Sequence, residues 1–295
     1  LASGIRINDR VAVGVGVQVL AALGSELDLG LDPATGRIEP GTVQISLQPS
    51  ASLTAGVSLR PGFGLRLGLG FRQEVSLRYR IPTRLGVGPL LAADLLVAQN
   101  TLYSPTTLEL GAAWRSQDNR VLIAASVRMA MWSEAPDPSP RLEIDIGGGV
   151  AGDIGVDEQF DIGRDTAQRS PGFGDTVTPA VAAELWPKER LCVRGGYSFR
   201  PSPAPRAIGL TNQLDNDAHI IGLGAEVGLG DSVLERAAAK DEQPRQRHAF
   251  YFRAAGQVQL LPRRTVYKRD PNDPVGDLDH GGAAVHVALH FGARF

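Results

Sequence analysis

The chain has 295 residues, with 30 Lys and Arg against 32 Asp and Glu and a formal net charge of −2, which gives no polyelectrolyte signal of the kind nucleic-acid binding would leave. Its single cysteine, Cys192, excludes an internal disulfide and a thiolate metal site. No run of ~18 apolar residues occurs, so a transmembrane helix is excluded and any path through a membrane is β.

The elements, taken in chain order, repeat one pattern. A short strand covers 1–7, with no basic-then-apolar signal segment before it, so a removed signal or a fragment is expected. In VAVGVGVQV, Val11, Val13, Val15, Val17 and Val19 alternate with Ala12, Gly14, Gly16 and Gln18, a period of two that specifies a strand with two unlike faces. A strand over 42–60 contains Pro49, which has no N–H and must break a ladder bond or sit at a bulge. LRLGLGFRQEVSLRYR puts Leu65, Leu67, Leu69, Phe71, Val75, Leu77 and Tyr79 on one parity, with Arg66, Gly68, Gly70, Arg72, Glu74, Ser76 and Arg78 on the other. Only Gln73 interrupts the apolar parity. LGVGPLLAADLLVAQN departs from alternation: Leu90, Leu91, Leu95, Leu96 and Val97, interrupted by Asp94 and Gln99, have helical spacing.

Further strands read over 100–116, 120–133, 176–187, 191–200, 219–230, 248–262 and 283–295, making about eleven. The acidic stretch GDIGVDEQFDIGRD, with Asp153, Asp157, Glu158, Asp161 and Asp165, offers the oxygens that calcium takes but not EF-hand spacing, and a solvated loop is expected. DSVLERAAAKDEQPRQR, 231–247, reads as a short charged helix. At the C-terminus Val285, Val287, Leu289, Phe291, Ala293 and Phe295 oppose His286, His290 and Arg294.

Two environments accept such strands. A soluble sandwich turns the apolar parity to a core, whereas an outer-membrane barrel turns it to lipid and encloses the polar parity in a lumen. Strand length and the glycines between inner-face charges favour the barrel. Connections agree, with 231–247 the one exception at a periplasmic position: NDR, RPGFG, SQDN and PKER alternate with the long segments 24–41, 80–100, 134–175 and 201–218, as periplasmic turns alternate with external loops. Counting back from a periplasmic C-terminus places Leu1 outside, in a sheet that does not close on itself. Bacterial barrels normally have even strand numbers, so an odd number of strands is expected to precede it.

Signals for chemistry are few. His286 and His290 stand about 13 Å apart along a strand, too far to share a metal. GVGVQV and GLGAEVG lie inside strands and open no helix, and no GxSxG elbow is present. The expectation is a non-enzyme without cofactor or metal.

Several stretches, in order, resemble strands of the FadL-type outer-membrane transporters of long-chain fatty acids and aromatic hydrocarbons: GFRQEVSLRYR, TLYSPTTLELGAAWR, VLIAASVRMAMWSE, GFGDTVTPAVAAELWP, LCVRGGYSFRPSPAP and LDNDAHIIGLGAEV. The resemblance spans about 5–295. It implies an all-β antiparallel transmembrane barrel of about fourteen strands, of which this single domain, 1–295, supplies about eleven. An N-terminal plug and about three strands would lie outside it. It further implies a monomer in the bacterial outer membrane, in contact with lipid, whose terminal Phe295 resembles the aromatic signal read by barrel-assembly machinery.

The function implied is passive uptake of hydrophobic molecules, captured by external loops at Leu90, Leu91, Leu95, Leu96 and Val97 and passed through a lumen. Arg72, Glu74, Arg78, Glu109, Arg128, Glu184, Arg194, Glu226, Arg253, His286 and His290 would line that lumen. The arginines there are expected to pair with carboxylates, or one of them, Arg128 or Arg194, to hold a fatty-acid carboxylate. A structural or adhesive barrel without transport, and a barrel phospholipase, are the alternatives.

Overall fold

A computed structural model describes residues 1–295 except 33–34, 36, 40–41, 88–90, 138–140, 148–170, 207–213, 235–245, 268–275 and 294–295. Alternation of apolar with small or charged residues holds the backbone extended, since a period of two separates two faces only in a strand. The strands are β1 (Ala2–Arg6), β2 (Val11–Asp32), β3 (Arg37–Glu39), β4 (Val43–Gly62), β5 (Leu65–Arg72), β6 (Val75–Val87), β7 (Leu91–Ser104) and β8 (Thr107–Arg115). They continue as β9 (Val121–Ala130), β10 (Arg141–Gly147), β11 (Thr176–Lys188), β12 (Leu191–Arg200), β13 (Ala218–Leu234), β14 (Gln246–Val266) and β15 (Leu278–Ala293). A single 3-10 turn, Trp132–Glu134, is the one helical element among the described residues.

Eleven strands, in the order β1-β2-β4-β5-β8-β9-β11-β12-β13-β14-β15, pair antiparallel as one wall. The short turns lie at one end of it, together with Ala293, which pairs with Phe250 beside Leu229. Leu1, bonded through its amino group to the Val17 carbonyl at 2.9 Å, is at the other end. No described pairing joins β15 to β1. Both placements agree with the loop alternation. At the β1–β2 turn the Asn8 side-chain oxygen accepts from the Arg10 and Val11 N–H groups, each at 2.8 Å, so one side chain supplies the turn's acceptor. The β4–β5 turn needs glycine: Gly64 has φ +75°, and a Cβ there would collide with the Arg115 carbonyl oxygen on β8.

Two long strands expected from sequence are each broken in two. Gln73 ends β5 because it is tied sideways to β4: its N–H donates to the Leu53 carbonyl at 2.8 Å, its carbonyl accepts from the Ser52 hydroxyl at 2.8 Å, and its side-chain oxygen accepts from the Leu53 N–H at 3.2 Å. Pro105, without an N–H, separates β7 from β8, and Thr106 joins the breaks by accepting the Glu74 N–H on its hydroxyl at 3.2 Å. Glu74 and Arg78 therefore lie at and above the break and not on the wall strand expected for them. The predicted count of about eleven is the count of wall strands; the breaks, β3 and β10 account for the rest.

Above the breaks, β6 pairs antiparallel with β7 and β7 with β10, while Leu27–Leu31 of β2 pairs in parallel with Thr83–Val87 of β6. The parallel pairing was not expected from an up-and-down pattern. There β2 and β4 form a ribbon beyond the end of β5, and two-stranded ribbons twist most strongly, which brings the far edge of β2 to β6. The helix expected at 90–97 is absent: Leu91, Leu95, Leu96 and Val97 lie in β7, where hydrogen-bonding partners on both edges override the local spacing. Leu90 lies outside the described residues. The helix expected at 231–247 is also overturned at its ends, where Val233 and Leu234 of β13 pair with Arg247 and Gln246 of β14.

Pro49 sits opposite Ala21 with no register shift. Leu53 directs its N–H and carbonyl toward the β5 side, and Pro49, four residues earlier, shares that parity. Its missing donor thus falls on an edge that β5 no longer covers, where proline is tolerated.

The stretch LDND clasps the far rim. Asp215 pairs with Arg200 at 3.3 Å, the Asn216 amide donates to the Pro262 and His280 carbonyls at 2.7 and 3.2 Å, and Asp217 accepts the Ser202 N–H at 2.8 Å. Three consecutive residues thereby hold the β12–β13 connection against the irregularity between Leu261 and Arg264 on β14.

Candidate functional site

The wall has almost no core. Among the described residues the buried apolar side chains are Val75, Ala130, Ala135, Cys192, Ala218 and Val266, whereas Leu110, Val181, Leu223 and Val287 are 61, 55, 67 and 76 % exposed. Exposed apolar side chains recur on one parity of every wall strand. An apolar face of this extent is unstable in water and is matched by the hydrocarbon of a bilayer.

The opposite parity forms the candidate site. Register aligns Gly4, Gly14, Gly56 and Gly70 across four strands, followed by Glu109, Arg128 and Thr178. Small residues also line two recesses. One, of about 560 Å³, is bordered by Ser58, Arg66, Gly68, Gly111, Ser126 and Ala180. The other, of about 520 Å³, is bordered by Glu184, Arg194, Gly224, Arg253, Gln257 and His286.

Charges on this parity pair across strands. Arg128 donates from Nε and Nη2 to Glu109 Oε2 at 2.9 and 2.8 Å, with both side chains about half exposed. Nearer the short turns, Arg194 bridges Glu184 at 2.8 Å and Glu226 at 2.9 Å, and Arg253 also reaches Glu226 at 2.8 Å. The Glu226 side chain is only 4 % exposed. Trp186 donates its indole N–H to Glu184 at 2.7 Å, and the Arg253 guanidinium lies 4.4 Å from the Tyr251 ring centre, a cation–π contact. His290 is opposite Arg253 in register and stacks obliquely on Tyr251 at 5.4 Å; His286 is opposite Gln257.

Of the residues expected in the lumen, Glu109, Arg128, Glu184, Arg194, Glu226, Arg253, His286 and His290 share the inner parity, as does Arg72, which lies between Thr54 and Thr107. They form two groups at different heights, one around Glu109–Arg128 and one around Glu226. No group of three metal-ligating side chains occurs among the described residues, and the acidic stretch 153–165 and Phe295 lie outside them. Sequence reading did not single out Arg60, Arg66 and Arg115, which gather at the turn end of β4, β5 and β8. The signal was present: each falls on the inner parity within three residues of a short turn.

At the far rim, Tyr103 and Phe173 pack edge-on to Trp132, with ring centres 6.0 and 6.1 Å away. The Tyr103 hydroxyl donates to Glu74 at 3.3 Å, and burial, with Glu74 beside it, pushes its pKa up to about 12. Asp175 accepts the Ser133 N–H at 2.9 Å, which holds its carboxyl below the usual carboxylate range. A depressed carboxyl contributes stability above its unfolded pKa and loses it as pH falls through the folded value. Trp132 emission, read in a Trp114→Phe, Trp186→Phe background, is therefore expected to shift below the ordinary carboxylate range, and Asp175→Asn to remove that transition. An unchanged transition in Asp175→Asn would assign it to another group.

The same wall occurs in solved structures. A Pseudomonas aeruginosa FadL homologue superposes with TM-score 0.55 at 14 % identity, over 98 % of this chain and 65 % of that one. The P. putida toluene transporter TodX gives 0.50 at 12 % identity over 99 % and 67 %, and a TodX variant described as a monoaromatic hydrocarbon channel gives 0.52 at 13 % over 100 % and 69 %. This chain thus has the fold of the FadL-type barrels and spans about two thirds of their length. No family model matches the sequence, and no curated protein sequence matches it.

Proposed function

We propose that this chain is the greater part of an outer-membrane channel for the passive uptake of hydrophobic small molecules, long-chain fatty acids or aromatic hydrocarbons. One observation carries the reading: a wall with an apolar outer parity bears an opposite parity rich in glycine, alanine and serine that borders two open recesses. The likeness to transporters of toluene and monoaromatic hydrocarbons supports it. Reconstituted in liposomes, the protein is expected to accelerate entry of labelled oleate or toluene over protein-free vesicles. Release of fatty acid from phospholipid would favour a hydrolase instead, and neither activity would favour a structural barrel.

Capture belongs to the strands above the breaks. On β7, Leu95 stands between Thr83 and Ile144 and Val97 between Ile81 and Leu142, whereas Leu96 stands between Pro82 and Glu143. The row through Leu95 and Val97 is the apolar one, and it offers a ligand a surface outside the bilayer. Leu95→Ser with Val97→Ser is expected to slow uptake several-fold while Leu96→Ser leaves it near the parental rate. Equal rates in all three would remove β7 from the path.

A further inference from the structure

We infer that the tip of the β4–β5 turn is a membrane anchor, with the Phe63 ring set into the headgroup–acyl boundary of the phospholipid leaflet on the turn side of the wall. The inference rests on the outer parity facing lipid and is independent of what the channel carries.

The outlier is in the backbone. Phe63 and Gly64 have φ of +54° and +75°, the two left-handed residues that a two-residue hairpin turn between the paired Gly62 and Leu65 requires. Glycine, asparagine and aspartate adopt that conformation readily, and a bulky ring does not. The turn between β8 and β9 shows the usual solution, with Asn119 at φ +59°. Contacts inside the wall offset little of the strain at Phe63, because the residue is 91 % exposed. The tip is nevertheless held in place: the Arg115 N–H donates to the Gly64 carbonyl at 3.0 Å, and a Cβ on Gly64 would collide with the Arg115 carbonyl oxygen. A strained, fixed and exposed aromatic side chain serves a contact outside the chain.

Register identifies what lies there. Leu65 pairs with Trp114 and Trp114 with Ile123, all on the outer parity. Two residues further toward the turns, Phe63 falls in the row of Ser116 and Val121, joined from the Ser116 N–H to the Val121 carbonyl at 2.9 Å, and of Leu185, which pairs with Val121. Leu185 and Trp114 are both half-exposed. Phe63 therefore extends the lipid-facing surface to its last row at the turn end and does not hang below it. At the same end Phe250 and Phe291, also exposed, stack with ring centres 6.4 Å apart, as aromatic girdles do where an apolar band meets the headgroups. A protein partner would need a patch of ~800 Å². Around Phe63 stand Gly62, Gly64 and Ser116, which add no bulk to the ring, so the surface that fits is a fluid leaflet.

Two measurements on the full chain in phosphatidylcholine vesicles test the anchor. A nitroxide is attached to Phe63→Cys and, for comparison, to Leu110→Cys; the fully buried Cys192 stays unlabelled. Both labels are expected to collide more with oxygen, which concentrates in lipid, than with a water-soluble nickel chelate. Nickel preferred by the first label and oxygen by the second overturns the anchor and leaves the channel reading standing, whereas nickel preferred by both overturns the anchor and the channel reading together. Asparagine supplies a test by sign. In water Phe63→Asn would relieve the backbone and stabilise the fold. In a leaflet it removes the anchor, and the unfolded-to-folded ratio in urea is expected to rise about tenfold, with Phe63→Trp within about threefold of the parental protein. An asparagine variant as stable as the parental protein, or more so, overturns the anchor.

Discussion

Replacing Glu226 by alanine is expected to cost about 2–3 kcal/mol of unfolding free energy, because two arginines lose charge-assisted hydrogen bonds to one buried carboxylate. Glu226 is 4 % exposed and is the acceptor shared by Arg194 and Arg253. Without it, Arg194 still has Glu184 at 2.8 Å and Arg253 still has the face of Tyr251, but both lose their bonds to the shared buried carboxylate. Glu109→Ala provides the contrast. Its pair with Arg128 has equally short bonds, but the side chains are 41 and 55 % exposed, and water replaces what is lost, so less than about 1 kcal/mol is expected. Urea unfolding followed by tryptophan emission in a lipid or micelle environment measures both. Similar losses in the two variants would mean that burial does not set the strength of these pairs.

The second large effect concerns the solvent outside the wall. Leu110 is 61 % exposed, and in a soluble protein an arginine there would change stability by no more than about 0.5 kcal/mol. In a barrel the same change places a guanidinium in hydrocarbon, and Leu110→Arg is expected to cost about 2–4 kcal/mol near the midplane. Ser126, beside the neighbouring recess on the inner parity, should accept arginine at far smaller cost. If the two substitutions are equally mild in bilayers, the apolar parity does not face lipid.

Much of this was legible in the sequence because a strand's period is two and every wall residue belongs to one face or the other. The eleven wall strands, the end at which Leu1 lies and the inner parity of Glu109, Arg128, Glu184, Arg194, Glu226 and Arg253 all follow from counting. What counting missed depends on contacts between distant segments. The break at Gln73 arises from its bonds to Ser52 and Leu53, some twenty residues earlier, and no local pattern announces it. At Leu95 and Val97 local spacing pointed to a helix, and pairing with β6 and β10 decided otherwise. The gathering of Arg60, Arg66 and Arg115 likewise becomes visible only when three strands are laid side by side.

The strict alternation of the wall also limits how its gene can change in length. One codon inserted within β9 would carry every later residue of that strand to the opposite face, setting Arg128 in lipid and Met129 in the lumen, whereas two codons would restore the order. The turn after β8 offers no slack to absorb an odd insertion, since Ser116 bonds both Val121 and Asn119 across it. Viable length variants of this protein should therefore differ by even numbers of residues inside the wall strands, and by any number in the long connections at the opposite end.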